Sequence, residues 1–125
     1  MVEKRVLVPE RLRKPPRSGF SWVDRRFVRD HAPDLSRDAV VLYFFLTAVS
    51  DKHGLSFWGD AKTSVRLKLD EAAIARAREE LVRRDLIAHA SPLTQVLALP
   101  EARVRKATSD AEALGTILQR LRGQG

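Results

Sequence analysis

The stretch from residue 54 to residue 99 constrains the fold more than any other, because helical and extended patterns follow each other there in a set order. Its longest element is predicted over 70–84, where Asp70 is the expected N-cap and alanine supplies high helix propensity. The apolar side chains of that segment recur at helical spacing and form one stripe: Ile74, Ala77 and Leu81. A shorter helix is predicted over 60–67, and Lys68-Leu69 forms the turn between the two helices.

The chain after this helix pair predicts a β-hairpin. Residues 86–90 and 95–99 are two short apolar runs, and Ser91-Pro92 between them is a turn signal. The centre of the chain is therefore ordered as helix, tight turn, helix and hairpin.

A third helix is predicted over 37–50, ahead of this unit. Ser36 is a good N-cap for it, and its residues are apolar on several faces, which is typical of a central buried helix. Gly54 suits a positive φ in the polar turn that follows. The apolar neighbours of Trp22 and Trp58 place both rings in the core.

The segment before that helix is predicted to pack against it. Residues 20–23 alternate in character and predict a strand or a packed entry segment. Residues 25–31 predict a short helix that buries Phe27 and Val28. Pro33 is expected to end this helix, because proline lacks the N–H donor and restricts the residue before it.

The net charge of +7 is concentrated in the tails of the 125-residue chain. Residues 1–19 hold six basic and two acidic side chains, whereas residues 20–58 hold five of each. Residues 59–90 hold seven basic and six acidic side chains, and residues 91–125 hold five and three. A basic excess favours a polyanionic partner such as nucleic acid, although arginine-rich tails also serve solubility alone.

Several classes of function are disfavoured. The chain has no cysteine, so disulfides, thiol catalysis and thiolate metal sites are excluded, and its histidines are far apart: His31, His53 and His89. Phosphate-binding and dinucleotide-binding glycine patterns are absent, as is Gly-x-Ser-x-Gly, so neither an enzyme nor a bound cofactor is expected. The longest apolar run, 39–49, is too short to span a bilayer, and we expect a cytoplasmic, nucleoid-associated protein without membrane contact.

The two tails flank one predicted domain over 20–99. Residues 1–19 form a basic, proline-punctuated arm with Arg11, Arg13, Lys14 and Arg17. Residues 100–108 are a polar linker, and residues 109–122 predict an amphipathic helix that opens on a Ser-x-x-Glu capping box. The apolar stripe of this helix is Leu114, Ile117, Leu118 and Leu121. The stripe either docks on its own domain or pairs with a partner chain, including a second copy.

Eleven positions of the segment 54–87 match a known family pattern: Gly54, Ser56, Phe57, Leu67, Leu69, Ile74, Arg76, Ala77, Leu81, Leu86 and Ile87. On these positions residues 20–99 resemble the winged helix-turn-helix domains of bacterial transcription regulators and of plasmid and phage replication initiators. The resemblance implies a mainly α fold with a small β-hairpin wing, here Ala88–Val96, and a separate C-terminal helix. It also implies that residues 70–84 are the recognition helix of a protein that binds double-stranded DNA.

This chain departs from the family pattern where bases would be read. Asp70-Glu71-Ala72-Ala73 replaces the polar and basic residues usual at the tip of the recognition helix, and Lys68 and Asp85 replace two glycines. Direct base readout is therefore expected to be thin, and contacts to phosphates are expected to dominate. The expected DNA-contacting residues are Lys62, Arg66, Lys68, Glu71, Ala72, Ala73 and Arg76, together with the four basic residues of the arm.

Two functions follow from these expectations. The first is a DNA-binding regulator, or an accessory factor in the replication or transposition of a bacterial mobile element. The second is a winged-helix adaptor that has lost sequence-specific DNA binding and recognises a protein instead, a reading favoured by the acidic tip at Asp70-Glu71 and the neutral body. A homodimer built through the C-terminal helix is compatible with either function.

Overall fold

The computed structural model describes residues 2–100, so the predicted helix over 109–122 and almost all of the predicted linker lie outside the described residues. Its helices are α1 (Arg37–Val49), α2 (Asp60–Leu67) and α3 (Glu71–Arg83). Its strands are β1 (Leu55–Ser56), β2 (Ile87–Ala90) and β3 (Leu93–Val96), and they form a three-stranded antiparallel sheet in the order β1-β3-β2. The described part is thus mostly helical with a small sheet, as the sequence predicts.

Helix α1 runs through the centre of the core. The Ser36 hydroxyl accepts a hydrogen bond from the Ala39 amide at 3.1 Å, which confirms the predicted N-cap. Leu42, Tyr43 and Leu46 are buried in the cluster that α1 shares with α3 and with residues 86–99. Burial raises the pKa of the Tyr43 phenol to about 12, because the phenolate would lose its hydration.

The segment before α1 packs differently from its prediction. Phe27 is fully buried and stacks on Tyr43, with ring centroids 3.9 Å apart, whereas Val28 is 57% exposed and the prediction that it is buried is wrong. Residues Phe27–His31 form one π-helical turn, in which neighbouring side chains point in different directions. Phe27 therefore faces the core while Val28 faces solvent. Pro33 lies inside the 3₁₀ turn Ala32–Asp34 that continues from it, so the chain keeps turning past the expected stop.

Residues 20–23 form neither a strand nor a buried segment. The Ser21 hydroxyl donates to the Thr47 carbonyl near the end of α1, and the rings on either side of Ser21 stay in solvent. Phe20 is 70% exposed and Trp22 is 74% exposed, so the prediction that Trp22 belongs to the core is wrong. The apolar flanks of Trp22 are local, and burial depends on a distant surface that no flank reveals.

The hairpin forms where it is predicted, but the bounds of its second strand differ from the predicted 95–99. Ala90 pairs with Leu93 directly across the Ser91-Pro92 turn, so β3 begins two residues before the predicted start at Gln95. The central strand of the sheet is β3, because β1 pairs with it on the side opposite β2. Strand β1 is only two residues long, which is too short for periodicity to predict.

The turn between α1 and β1 is closed by Asp51 and Gly54. The Asp51 carboxylate accepts hydrogen bonds from the amides of His53 (2.8 Å) and Leu55 (3.0 Å), which lower its pKa. Gly54 has φ +82°, as its position in the turn predicts. Its carbonyl accepts from the Val96 amide at 2.8 Å, and a Cβ at Gly54 would lie 2.5 Å from the Val96 carbonyl oxygen.

Replacing Gly54 with alanine is expected to destabilise the protein by about 1–2 kcal/mol from backbone conformation alone, with a further cost from the clash with Val96. Urea denaturation measures the change. Gly59→Ala is the matched control, because the φ of Gly59 is −67° and nothing lies within 4 Å of an added Cβ there. That control loses only the N-cap preference of glycine, about 1 kcal/mol or less. Equal destabilisation of both variants would contradict the close approach at Gly54.

The turn between α2 and α3 holds a left-handed residue that is not glycine. Lys68 has φ 55° and ψ 43°, and its amide donates to the Ser64 carbonyl as the C-cap of α2. The Ser64 hydroxyl donates to the Leu69 carbonyl and holds the turn from the other side. Asp85, after α3, has φ 62°. Lys68 and Asp85 are the two residues that stand in place of glycines of the winged-helix pattern.

Lys68→Gly is expected to stabilise the protein by about 1 kcal/mol, because relief of left-handed strain exceeds the added entropy of the unfolded chain. Lys68→Ala loses the same charge but keeps a Cβ in the left-handed conformation, so no such gain is expected. Thermal and urea melts of the two variants compare them directly. A gain of the same size in both would assign the effect to removal of the charge.

Candidate nucleic-acid interface

Helix α3 has one side in the core and one side in solvent. The Asp70 carboxylate accepts from the Ala73 amide at 2.6 Å and begins the helix, as predicted. Ile74, Ala77 and Leu81 are buried. The exposed residues of α3 are Glu71, Ala72, Arg76, Glu79, Val82 and Arg83. The side chains available to a partner therefore belong to this second set.

The expected DNA-contacting tip, residues 70–73, is divided by the rotation of α3. Glu71 and Ala72 are exposed, whereas Ala73 is only 6% exposed and lies on the core side of the helix. A duplex laid along the exposed side would not reach the methyl group of Ala73. The expected contact of Ala73 with DNA is therefore not available on the exposed side of α3.

Ala72→Arg is expected to leave the free energy of unfolding within about 0.5 kcal/mol of wild type, since its side chain enters solvent. Ala73→Arg is expected to cost more than about 2 kcal/mol, because the larger, charged side chain must displace packed neighbours. Denaturant unfolding of the two variants tests the rotation of α3. If Ala72→Arg were the more damaging change, this placement of the helix would be wrong.

Helix α2 presents basic side chains on its exposed side. Lys62 and Arg66 are exposed and one helical turn apart, and Lys68 is exposed at the C-cap. The Arg66 guanidinium lies over the Trp58 ring, 5.9 Å from its centroid, and Trp58 packs edge-on against Phe45 at 5.1 Å. Trp58 is thus half-buried, with one contact to Phe45 at the edge of the core and one to Arg66 on the surface.

Three of the carboxylates around α2 and α3 are engaged within the protein. Asp60, the first residue of α2, forms an ion pair with Arg78 of α3. Asp70 caps α3, and Glu80 accepts a hydrogen bond from the Ser36 amide at 2.7 Å. The last contact ties α3 to the start of α1. Internal bonds therefore occupy much of the acidic charge that accompanies the basic residues.

The other predicted contact residues are distributed over separate surfaces. Arg76 lines a groove between α3 and the start of α1, together with Asp38 and Glu80. It thus lies on a different flank of α3 from α2 and its Lys62–Arg66 pair. The arm residues are all exposed: Arg11, Arg13, Lys14 and Arg17. The structure brings Lys62, Arg66 and Lys68 together on α2 and does not bring Arg76 to them.

A cleft of about 520 Å³ between α3 and β2 brings together residues that the sequence does not predict to share a site. Arg78 and Arg83 line it from α3, and His89 lines it from β2. The His89 Nδ1 atom lies 2.9 Å from the Thr94 hydroxyl on the neighbouring strand. Burial, and then the nearby Arg78, lower the pKa of His89, while Asp60 opposes them. Strand alternation is the sequence pattern from which the position of His89 could be predicted, because it places His89 on the same face as Ile87.

Comparisons with protein-family models, with curated proteins and with solved structures return no match for this chain. Across residues 2–100, every helix is too short or too polar to cross a bilayer. The same residues contain no group of three or more histidine or carboxylate side chains arranged to hold a metal ion. The case for a function therefore depends on the geometry of α2, α3 and the hairpin.

Proposed function

We propose that the chain is a winged helix-turn-helix protein that binds double-stranded DNA. The element order α1, β1, α2, α3, β2, β3 and the sheet order β1-β3-β2 support this assignment, because they place α3 between α2 and a hairpin. In this fold class the helix corresponding to α3 enters the major groove, and the hairpin flanks it. The exposed side of α3 would then be the side that faces the duplex.

The observation that carries the proposal is the basic surface of α2. Lys62, Arg66 and Lys68 are exposed there, and the one acidic residue of α2, Asp60, is neutralised by Arg78. Basic side chains in this arrangement suit the phosphates that border a groove. Each phosphate neutralised contributes about −0.9 to the slope of log affinity against log salt, so affinity would fall steeply as salt rises.

Sequence readout in this proposal is modest. Glu71 can accept a hydrogen bond from cytosine N4, and Ala72 can touch a thymine methyl group. One good base contact is worth about 1–3 kcal/mol of discrimination, less than the several contacts of a highly selective regulator provide. The basic arm adds backbone or minor-groove contacts through Arg11, Arg13, Lys14 and Arg17.

A DNA-binding protein with modest base readout suits two roles in a bacterial cell. One is a transcription regulator whose target choice depends on a partner or on a second copy of the chain. The other is an accessory factor in the replication or transposition of a mobile element. The proposal includes association with the nucleoid, because binding dominated by phosphates occupies DNA of many sequences.

A second candidate, a winged-helix adaptor for a protein partner, is favoured by one observation. Phe57 is 75% exposed just before α2, and Val65 is 78% exposed on α2 between Lys62 and Arg66. Large apolar side chains exposed among basic ones suit a partner with an apolar and acidic surface. In that case charge reversal on α2 would alter binding to a protein and leave DNA uninvolved.

Reversing the charge of Lys62 and Arg66 together (to Glu) is expected to weaken binding to duplex DNA strongly at low salt and to lower the magnitude of the salt slope by about 1.8, because two phosphate contacts are lost. Fluorescence anisotropy of a labelled duplex measures both quantities. Lys62→Glu alone tests the same surface without disturbing the contact of Arg66 with Trp58. Thermal melts establish that the variants are folded.

Lys52→Glu is the matched control. Lys52 and α2 lie at opposite ends of β1. Lys52 is in the turn that precedes the Leu55↔Gln95 pair, and α2 begins after the Ser56↔Thr94 pair. It is expected to change affinity much less than the α2 variants. Absence of binding by the wild-type protein to any duplex at low salt would overturn the proposed function. Equal losses in the control and the α2 variants would reject α2 as the interface.

A further inference from the structure

The cleft between α3 and β2 brings together basic side chains from two elements. Its lining combines basic groups from two elements with a small apolar floor: Ala75, Arg78, Glu79, Val82, Arg83 and His89. Arg83 is exposed at the edge of the cleft, and the side chain of Arg78 is 20% exposed. An incoming group would therefore meet one partly desolvated cation, Arg78, which is paired with Asp60, and a second, Arg83, which is exposed and also borders the groove between α3 and α1.

The charges around the cleft nearly cancel while His89 is neutral. Asp60, from α2, neutralises Arg78, and Glu79 is an acidic neighbour of Arg83 on the same helix. Thr94, from β3, contributes a hydroxyl group without charge. Protonation of His89 therefore changes the net charge around the cleft from near zero to positive. His89 is thus the group whose protonation determines that charge.

The hydrogen bond between His89 and Thr94 accommodates both protonation states. When the ring is neutral, the Thr94 hydroxyl can donate to Nδ1, and Nε2 carries the proton. When the ring is charged, Nδ1 donates and the hydroxyl accepts. Nε2 carries a proton in both states and the Nδ1–Thr94 contact persists, so the hairpin need not rearrange when His89 titrates.

We propose that this cleft binds one phosphate of a nucleic-acid backbone through Arg78, Arg83 and the Nε2–H of His89, and that binding is accompanied by proton uptake at His89. The identity of the phosphate rests on the proposed DNA-binding function. The ligand chemistry itself, a phosphate group, follows from the cleft. None of the residues that line the cleft belongs to the basic surface of α2.

The direction of the pH dependence follows from linkage. In the free protein, burial and Arg78 keep the pKa of His89 below its ordinary value, so the ring is neutral at and above neutral pH. A bound phosphate places negative charge beside the ring and raises that pKa. Affinity therefore increases as the pH falls through the histidine range, and the gain is absent at alkaline pH.

The test compares duplex binding at about pH 7.5 and about pH 5.5, on either side of the usual histidine pKa. The probe is a mixed-sequence duplex of roughly 20 base pairs, two helical turns, followed by anisotropy across a salt series. Wild type is expected to bind several-fold tighter at the lower pH, with a salt slope steeper by up to about 0.9. His89→Gln is expected to remove that difference, and Arg83→Gln to weaken binding at both pH values.

His53→Gln is the matched control, because His53 is an exposed histidine in the turn before β1. It is expected to keep the pH dependence of wild type. Thermal melts confirm that each variant is folded. If the duplex binds but His89→Gln retains the full pH dependence, or Arg83→Gln binds like wild type, the cleft proposal fails while the DNA-binding function stands.

A second measurement tests the cleft without DNA. Residue-resolved NMR follows the titration of the His89 ring with and without inorganic phosphate. The pKa of His89 is expected to rise in phosphate for wild type and to stay unchanged for Arg83→Gln. A rise in phosphate without any duplex binding would sustain the anion site and reject DNA as its source. No change in phosphate would overturn the cleft as an anion site.

Discussion

The packing of α3 against α1 is the interaction on which the rest of the structure depends. Ala77 and Leu81 of α3 meet Leu42 and Leu46 of α1 in one buried cluster, and each large apolar side chain removed from water contributes about 1.5–3 kcal/mol. This burial fixes the rotation of α3 about its axis, and the rotation determines which residues face solvent. Two polar contacts then set how far α3 slides along α1, namely Glu80 with the Ser36 amide and Arg84 with the Asp34 carbonyl at 3.0 Å.

The same residues that secure the fold also shape its electrostatics. Each carboxylate bonded internally, such as Asp60 or Asp70, is an acidic group that no longer repels a polyanion with its full charge. The net charge of +7 therefore does not show how unevenly charge is exposed on different faces of the protein, because helix caps and ion pairs hold part of the negative charge. A body that is nearly neutral by composition can still present a basic face on α2.

The helices could be predicted from the sequence because their signals are local. Residue type alone predicts Ser36 and Asp70 as N-caps, and the apolar stripe of α3 predicts its buried side. The prediction failed where burial or pairing depends on distant residues. Trp22 lies in solvent because nothing distant covers it among the described residues, and β1 exists because β3 pairs with it. The α3–β2 cleft was missed for the same reason, since Arg78 and His89 meet only after the hairpin folds back.

The small size of the sheet has a consequence for the behaviour of the chain at high concentration. None of the three strands contains a lysine, arginine or carboxylate, although proteins commonly place such charges on outer strands to prevent association between sheets. Here β1 has two residues and β2 has four, so either border offers a passing strand few backbone partners. The short length of the edge strands, and not charge on them, is therefore the safeguard against amyloid-like stacking. A longer β2 would offer a neighbouring chain more backbone partners and would weaken that safeguard.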